Sequence, residues 1–234
     1  MKAAIYTGTR NLYNHMVPAI KSLLVNSDVE KIYVGIEDDV FPYELPDLCE
    51  VMNLSGQTIF AKDGVNMKSR FTYMAMMRAA LVKFLPEDLD RILSLDCDTI
   101  VDKDISDIWD LPIDDCYFAA SHEFHMTNEK FIYTNVGVCL FNLRKMRDGK
   151  ADEIIRMLNT REFGWIEQDV LNLLCQGYIY DMPAVYNAHY YTQNPSNPKI
   201  IHHIGNNDLL PNYPDVKKYA AMSFDKIMTE RAKQ

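Results

Sequence analysis

The first part of the chain alternates short apolar runs with stretches in which apolar residues recur at helical spacing. We expect strands at four of these runs, which are Ala3–Tyr6, Lys31–Ile36, Glu50–Leu54 and Arg91–Leu95. The spacing predicts helices over Met16–Leu24, with Pro18 in the first turn, and over Phe71–Phe84. Strands that alternate with helices pair in parallel through right-handed crossovers. The alternation therefore predicts an α/β fold, with a mostly parallel sheet covered by helices on both faces.

The later part of the chain is less regular but also mixes strands and helices. Strands are expected at Tyr117–Ala120, Val136–Leu143, Ile179–Met182 and Ile200–His203. Helices are expected at Asp152–Asn159, Gln168–Leu174 and Asp215–Ala232. Residues 187–199 are polar and interrupted by prolines, which predicts a loop. No shift in composition marks a boundary, so we expect a single domain over residues 1–234.

Composition narrows the classes of partner. The chain of 234 residues is 48% hydrophobic and 24% charged, which is typical of a globular protein. A formal net charge of −9 disfavours nucleic-acid binding, because an acidic protein repels phosphate backbones. A phosphorylated ligand would therefore need a local group that offsets this negative charge, and a divalent cation is the obvious candidate. We expect no transmembrane segment, since no apolar run approaches the ~20 residues that span a bilayer.

The cysteines indicate the redox environment. They are odd in number, scattered and without a CxxC pair: Cys49, Cys97, Cys116, Cys139 and Cys175. This pattern predicts reduced thiols in a cytoplasmic protein rather than a disulfide framework or a zinc site.

The sharpest motif is Asp96-Cys97-Asp98-Thr99, directly after an apolar strand. Ligands of open α/β sheets bind beyond the carboxyl ends of the strands, and two carboxylates there suit Mg²⁺ or Mn²⁺ together with a phosphate. Phosphatases of the haloacid-dehalogenase type also place DxDxT after such a strand, with the first aspartate as nucleophile. The segment 205–208 loosely mimics a later acidic motif of that class. That class normally begins with its DxDxT, however, whereas several strands precede the motif here.

Three further segments accompany this motif. In chain order, the four are RILSLDCDTIV at 91–101, preceded by Leu85-Pro86 and followed by Asp104-Ile105; YTNVGVCLFNLRKMR at 133–147; EQDVLN at 167–172; and IIHHIG at 200–205. Together they resemble the blocks LP…(K/R)hLYLDxDhhV…DI, YFNSGVhLhNLxxhR, (D/E)QDhLN and IIHFTG of glycosyltransferase family 8. Members of that family are retaining enzymes with the GT-A fold, and they use nucleotide-sugar donors.

The resemblance implies an α/β, Rossmann-like GT-A domain. Residues 1–105 would form its nucleotide-sugar-binding half and residues 106–234 its acceptor-side half. The implied reaction moves a hexose from UDP-glucose or UDP-galactose to a saccharide or glycan acceptor. Two alternatives stay open, namely the phosphatase and a protein that binds nucleotide-sugar without transferring it.

The resemblance also implies a metal site. Asp96, Asp98 and His202 would bind Mn²⁺ or Mg²⁺, and the imidazole nitrogen favours Mn²⁺ because it is a softer ligand than Mg²⁺ prefers. The neighbouring His203 should face the other way, since a strand alternates its faces.

Further roles are implied for donor binding and for the reaction. The donor-binding residues would be Thr7, Thr9, Asn11, Arg78, Asp96, Cys97, Asp98, Asn135, Gly137 and Gly205. Glu167, Gln168 and Asn135 would lie at the reacting sugar. The amide of Gln168 is neutral and therefore a poor nucleophile. Retention then requires one of two mechanisms. Either the acceptor attacks the face from which the leaving group departs, or a further carboxylate acts as the nucleophile, and the sequence is compatible with both.

Two segments depart from the family pattern. Residues 205–209 lack the Lys and Trp of HFTGxxKPW, whose Lys helps to hold the diphosphate. The Thr7–Asn11 segment lacks the acidic residue that usually precedes Asn-Tyr. Outside these motifs, we expect Glu123 to be a solvated loop residue, and Tyr186, Tyr190 and Tyr191 either to stack on an acceptor sugar or to pack within their loop.

Overall fold

A computed structural model gives the fold. It describes residues 1–67, 69, 71–128, 130–192, 195–205 and 208–233. Asn206 and Asn207 lie outside the described residues. They belong both to the segment 205–208 that mimics a phosphatase motif and to the segment 205–209 that lacks the family's Lys.

Nine strands and seven α-helices make up the regular structure of the described residues. The strands are β1 (Ala3–Thr7), β2 (Lys31–Ile36), β3 (Cys49–Asn53), β4 (Arg91–Leu95), β5 (Thr99–Val101), β6 (Phe118–His122), β7 (Thr134–Asn142), β8 (Ile179–Asp181) and β9 (Ile200–His202). The helices are α1 (Tyr13–Val25), α2 (Tyr73–Met77), α3 (Leu143–Lys145), α4 (Ala151–Thr160), α5 (Ile166–Leu174), α6 (Pro214–Ala220) and α7 (Phe224–Arg231).

Seven strands form one sheet in the order β3-β2-β1-β4-β7-β6-β8. All pairs are parallel except those of β7, which runs antiparallel to both β4 and β6. The prediction of a mostly parallel sheet is confirmed, with this one central exception. The connection from β6 to β7 covers residues 123–133 and holds no helix, so the two strands pair as antiparallel neighbours. All nine residues of β7 are buried.

Apolar layers cover both faces of the sheet. Side chains alternate along β1, so that Ala3 and Ile5 join one layer while Ala4 and Tyr6 join the other. The first layer takes its apolar residues from α2, α4 and α5. The second takes them from α1 and α7. Helices therefore pack on both faces, as the alternation predicts.

Three helix predictions need correction. The helix expected over Phe71–Phe84 is broken: α2 gives way to a 3₁₀ helix, Arg78–Lys83, in which Ala80 has non-helical angles (φ −114°, ψ 15°). The helix expected over Asp215–Ala232 is two helices, because Ser223 caps the second by accepting a hydrogen bond from the Lys226 N–H at 3.3 Å.

The third correction concerns Pro18. Helix α1 begins at Tyr13, three residues before the expected start, so Pro18 lies in the second turn rather than the first. Its missing N–H leaves the carbonyl of Asn14 without an intrahelical donor, and Asn14 is exposed to solvent. Water can therefore replace the lost bond.

A short strand that the sequence did not predict brings two distant motifs together. Strand β5 pairs antiparallel with β9, and Thr99 lies opposite His202. This two-stranded sheet stands apart from the main one. Consequently the segment around His202 is held beside the DxD turn by backbone hydrogen bonds.

Two further observations bear on the environment of the chain. Among the described helices, none is both long and apolar enough to cross a membrane. All five cysteines are free thiols, and Cys97, Cys139 and Cys175 are buried.

Helix α7 generates a prediction about stability. The Arg231 guanidinium donates to the carbonyls of Leu24, Ser27 and Val29 at 2.5–2.7 Å, which ties α7 to the end of α1. Arg231→Met keeps most of the aliphatic stem but leaves these carbonyls without their donor. We expect the free energy of unfolding to fall by about 1–3 kcal/mol in urea denaturation. The control is Arg156→Met, at an exposed arginine on α4, which should change it by less than about 0.5 kcal/mol. Equal losses of unfolding free energy in the two variants would contradict the stabilising role of the Arg231 hydrogen bonds.

Candidate metal site and its surroundings

The DxD turn is fixed by backbone hydrogen bonds at the end of β4. The Asp96 N–H donates to the Gly137 carbonyl of β7 at 2.8 Å. The turn is closed by Thr99, whose N–H and hydroxyl donate to the Asp96 carbonyl at 3.2 and 2.7 Å. The His203 N–H donates to the Asp98 carbonyl at 2.9 Å. Both carboxylates therefore project from a rigid turn at the carboxyl end of a buried strand.

Asp96, Asp98 and His202 come together as a group of possible metal ligands. The His202 Nε2 atom lies 3.2 Å from Asp98 Oδ1 and 3.6 Å from Asp96 Oδ2. One ligand atom from each residue lies within 4.8 Å of the others. Two carboxylate oxygens and one imidazole nitrogen are a donor set that suits a divalent cation such as Mn²⁺. The residues therefore fit a metal site.

His203 faces away from this group. Its Nε2 lies 2.7 Å from Asp215 Oδ2, and its ring stacks on Tyr213 with centroids 4.2 Å apart. His202 ends β9 and His203 directly follows it, and their side chains have different partners, as the alternation of faces predicts.

The imidazole of His202 packs directly on the backbone of β7 at Gly137. A Cβ atom added to Gly137 would lie 2.1 Å from His202 Cε1 and 2.7 Å from Asp96 Oδ2. Contacts under about 3 Å do not occur for real Cβ atoms, so no side chain fits between the strand and the ring. Glycine is required here for close approach rather than for an unusual backbone angle.

Electrostatics couples the members of the group. Burial would lower the pKa of His202, but the carboxylates of Asp98 and Asp96 outweigh it, so this pKa is raised. Burial would likewise raise the pKa of Asp98, but His202 outweighs it and the pKa is lowered. The pair of Asp98 and His202 therefore favours its charged forms, with negative charge on the Asp98 carboxylate and positive charge on the ring.

Arg78 links the DxD turn to helix α5. Its buried guanidinium bonds to Asp96, to the Ser94 hydroxyl at 3.2 Å and to Glu167 Oε1 at 3.4 Å. Burial raises the pKa of Glu167 to about 7, although Arg78 opposes the rise. The structure thus brings three predicted residues, Arg78, Asp96 and Glu167, into one charged network.

Gln168 lies in the first turn of α5 with both ends of its amide engaged. Its Oε1 accepts from the Val136 N–H at 3.1 Å, and its Nε2 bonds to the Tyr133 hydroxyl at 3.2 Å. Helix α5 already begins at Ile166, so Gln168 is not a cap of that helix. These contacts hold its side chain against β7.

Strained backbone precedes these two residues. Ile166 has φ +39° and, within the described ranges, is the one non-glycine residue with positive φ. For a β-branched side chain this conformation costs about 1–3 kcal/mol and persists only where the surroundings enforce it. Ile166 is fully buried, so packing supplies that force and fixes where Glu167 and Gln168 enter the helix.

Asn135 and Glu123 are joined inside the protein. The Asn135 amide donates to Glu123 Oε1 at 2.8 Å, and its oxygen accepts from the Gly137 N–H at 3.0 Å. Glu123 is buried, and burial raises its pKa. The expectation that Glu123 is a solvated loop residue is therefore wrong, because its loop folds back beside β7.

The N-terminal loop meets the DxD turn through Cys97. The thiol donates to the Thr7 carbonyl at 3.4 Å, and burial raises its pKa well above the usual range. The Thr9 hydroxyl donates to Asn11 Oδ1 at 2.6 Å. Since β1 and β4 are neighbours, both of their carboxyl ends lie at the same edge of the sheet. Gly205, with φ +77°, adopts a left-handed conformation after β9.

Two side chains next to His202 were not singled out by the sequence. Asn187 is fully buried, and its Oδ1 lies 2.9 Å from His202 Nδ1. The His189 ring lies 5.4 Å from the His202 ring, and burial lowers its pKa to about 3. Both residues belong to the segment expected as loop, where a polar residue carries no periodic signal.

Comparisons with known proteins give a consistent assignment. The family described as Glycosyl transferase family 8 matches residues 14–208. Lipopolysaccharide 1,2-glucosyltransferase of Escherichia coli (strain K12) is 30% identical over 116 residues, covering 44% of this chain and 34% of that protein. Glycosyltransferase GlyE of Streptococcus pneumoniae serotype 4 is 25% identical over 199 residues, covering 80% of this chain and 47% of that protein. The chain thus spans between a third and a half of these two relatives.

Solved structures agree on the fold. A crystal structure of GlyE from Streptococcus pneumoniae TIGR4 superposes with a TM-score of 0.71 at 20% identity, over 98% of this chain and 62% of that one. Galactosyltransferase LgtC, solved with donor and acceptor sugar analogs, has a TM-score of 0.71 at 17% identity, over 98% of this chain and 100% of that one. The fold is therefore the GT-A fold that the resemblance implies. With a family match over residues 14–208, the chain belongs to glycosyltransferase family 8.

Proposed function

We propose that this protein is a retaining hexosyltransferase. It moves a hexose from a nucleotide-sugar, UDP-glucose or UDP-galactose, to a saccharide or glycan acceptor. The observation that carries the proposal is the convergence of Asp96, Asp98 and His202 beyond the carboxyl end of β4. That edge is where α/β sheets bind their ligands.

The phosphatase alternative is not favoured. Asp96 would have to be the attacking nucleophile, yet it is paired with the buried guanidinium of Arg78 and lies beside His202. Both carboxylate oxygens of Asp96 are thus engaged, Oδ1 by Arg78 and Oδ2 beside His202, so neither is free to attack phosphorus. Membership of a glycosyltransferase family points in the same direction.

Different residues are proposed to bind different parts of the nucleotide-sugar donor. When bound at Asp96, Asp98 and His202, a divalent cation would hold the donor diphosphate and stabilise the departing nucleoside diphosphate. Thr7 ends β1, and Thr9 and Asn11 follow it at the same edge of the sheet, where the three residues support binding of the base and ribose. The close packing at Gly137 keeps His202 in place.

Retention follows from the positions of the leaving group and the sugar. Loss of a diphosphate from an anomeric carbon develops oxocarbenium-like positive charge, as in glycoside hydrolysis. The carbonyl of Gln168 and, in its ionised form, Glu167 supply an oriented dipole and negative charge near that centre. A diphosphate that stays on its departure face can accept the proton of an acceptor hydroxyl that attacks from the same face. The mechanism therefore needs no covalent intermediate on Gln168.

Exposed aromatic side chains next to the candidate site support binding of a saccharide acceptor. Tyr190 and Phe124 are exposed, and each directly follows a residue beside the site, His189 or Glu123. Flat aromatic faces suit the apolar face of a pyranose. Tyr186 does not belong to this group, because it is buried and its hydroxyl bonds to Lys199.

Loss of one carboxylate should remove the metal site. Asp98→Asn deletes a charge and one ligand, so the affinity for Mn²⁺ should fall by more than the roughly 10–100-fold that loss of an outer-shell partner costs. Isothermal titration with Mn²⁺ measures this directly. Asp110→Asn makes the same charge change at an exposed position outside the cluster and should leave the affinity unchanged. Unaltered Mn²⁺ affinity in Asp98→Asn would contradict the assignment of Asp98 as a metal ligand.

Donor binding should depend on the cation. A ligand that binds only the native state stabilises it by about 2.7 kcal/mol at a hundredfold excess over Kd. We therefore expect UDP-glucose or UDP-galactose to raise Tm when Mn²⁺ is present and not in EDTA, as measured by thermal shift. A rise with another nucleotide-sugar, and with neither UDP-hexose, would overturn the choice of uridine.

Gln168 should affect turnover more than binding. Gln168→Ala removes an oriented dipole at the reacting sugar, so kcat should fall while metal-dependent UDP binding stays nearly unchanged. Gln176→Ala is the matched control, since Gln176 lies two residues beyond the end of α5 and bonds to the Ile132 carbonyl. It should lower stability and leave kcat unaltered. NMR of the first-formed product reports its anomeric configuration, and an inverted anomer is incompatible with the proposed mechanism.

A further inference from the structure

Four buried polar side chains form a continuous hydrogen-bonded series that ends at the metal site. The Asn135 amide nitrogen is 2.8 Å from Glu123 Oε1, the Asn187 amide nitrogen is 2.9 Å from Asn135 Oδ1, and Asn187 Oδ1 is 2.9 Å from His202 Nδ1. We call these residues, Glu123, Asn135, Asn187 and His202, the amide series. None of them is more than 9% exposed.

Backbone groups fix the direction of every hydrogen bond in the amide series. The Gly137 N–H can only donate, and it points at Asn135 Oδ1 from 3.0 Å. The oxygen of the Asn135 amide therefore faces Gly137, and its NH₂ group faces Glu123. The Asn187 nitrogen lies 2.9 Å from Asn135 Oδ1 and 3.5 Å from the Asn135 carbonyl, and both of these oxygens accept. Consequently Asn187 directs its NH₂ group at Asn135 and its oxygen at His202.

This orientation determines where the proton of His202 resides. An amide oxygen cannot donate, so His202 Nδ1 must carry the hydrogen that Asn187 accepts. In a neutral imidazole one nitrogen is a donor and the other an acceptor. When the ring is neutral, as it must be to bind a cation, its lone pair is therefore on Nε2, the nitrogen that lies 3.2 Å from Asp98. Free imidazole side chains in water favour the opposite tautomer, so the protein has to impose this one.

Asn187 is itself held firmly enough to do so. Its N–H donates to the Ala184 carbonyl at 3.1 Å, and its own carbonyl accepts from the Thr192 hydroxyl at 2.9 Å. Rotating its amide by half a turn would set two oxygens against each other at Asn135 and an NH₂ group against the Nδ1–H of His202. The side chain thus has one stable orientation.

We infer that Asn187 is a positioning residue that locks His202 in the Nδ1–H tautomer and so presents Nε2 to a divalent cation. The inference rests on the proposed function, since it assumes that His202 is a metal ligand. Partners of this kind orient a metal-binding histidine and raise its basicity. Asn187 bonds to Nδ1 of His202, whereas Nε2 faces Asp98, so its effect on the metal passes through the ring.

Three variants and three measurements test the inference. Asn187→Ala removes the acceptor, and Asn187→Asp keeps an oxygen towards His202 while losing the donor to Asn135. Asn142→Ala is the control, because Asn142 is another buried asparagine, hydrogen-bonded to the carbonyls of Ile113 and Asp114. Long-range ¹H–¹⁵N NMR on the metal-free protein, at a pH where His202 is neutral, reports the tautomer. Electron paramagnetic resonance of Mn²⁺ reports the affinity, and thermal melting shows that each variant is folded.

The expected results separate a positioning role from a structural one. The unaltered protein should show the Nδ1–H form, and Asn187→Ala should shift His202 towards the Nε2–H form with a roughly 10–100-fold loss of Mn²⁺ affinity. Asn187→Asp should keep the Nδ1–H form and stay within a few-fold of normal affinity. Asn142→Ala should lose stability but keep both properties.

Opposite results overturn the inference. An Nε2–H form in the unaltered protein would do so, as would a normal tautomer and affinity in Asn187→Ala, or a loss in Asn187→Asp as large as that in Asn187→Ala. If Asn187→Ala does not fold, the unaltered protein and Asn187→Asp still decide the matter. Absence of any Mn²⁺ binding would instead refute the proposed function, and the tautomer of the metal-free protein would then decide the role of Asn187 by itself.

Discussion

The contact between the His202 ring and the backbone of Gly137 governs the geometry around the metal site. It places a side chain from the small sheet directly on the central strand β7, at the point where β7 also accepts the N–H of Asp96. Two separate segments of the chain are thereby fixed to one buried strand. Strands position functional groups more precisely than loops do. The candidate site is therefore built on the most buried part of the sheet, although two of its residues come from a turn.

Charge is the second constraint on this region. Asp96, Asp98 and Glu167 are carboxylates, whereas Arg78 is the one guanidinium bonded to them among the described residues. Burying charges is costly unless each is paired and hydrogen-bonded. Arg78 serves two carboxylates at once, and His202 serves the third. Removing Arg78 would leave Asp96 and Glu167 uncompensated together, so its effect on binding cannot be separated from its effect on folding.

Much of the fold could be predicted from the sequence, because local patterns dominate there. Strands β2 and β4 have the predicted boundaries, since apolar runs between turn residues mark them clearly. The convergence of the DxD turn with His202 was implied by the family motifs. Asn187 and the buried state of Glu123 were not predictable, because polar loop residues acquire their roles only from tertiary contacts. The break at Ala80 was missed for the same reason, as helical spacing continues through it.

The antiparallel insertion of β7 has a consequence for biosynthesis. Strand β4 pairs with β1 on one side, but its other edge is covered only by β7, which lies some forty residues further along the chain. At about 5–20 residues per second, the ribosome needs roughly 2–10 seconds to make the intervening segment and β7 itself. During that interval the nascent chain presents an apolar strand with unpaired backbone groups, which is a template for wrong pairing. The second edge of β4 therefore stays unpaired until the ribosome has made β7. The nascent protein is most vulnerable to aggregation before β7 emerges.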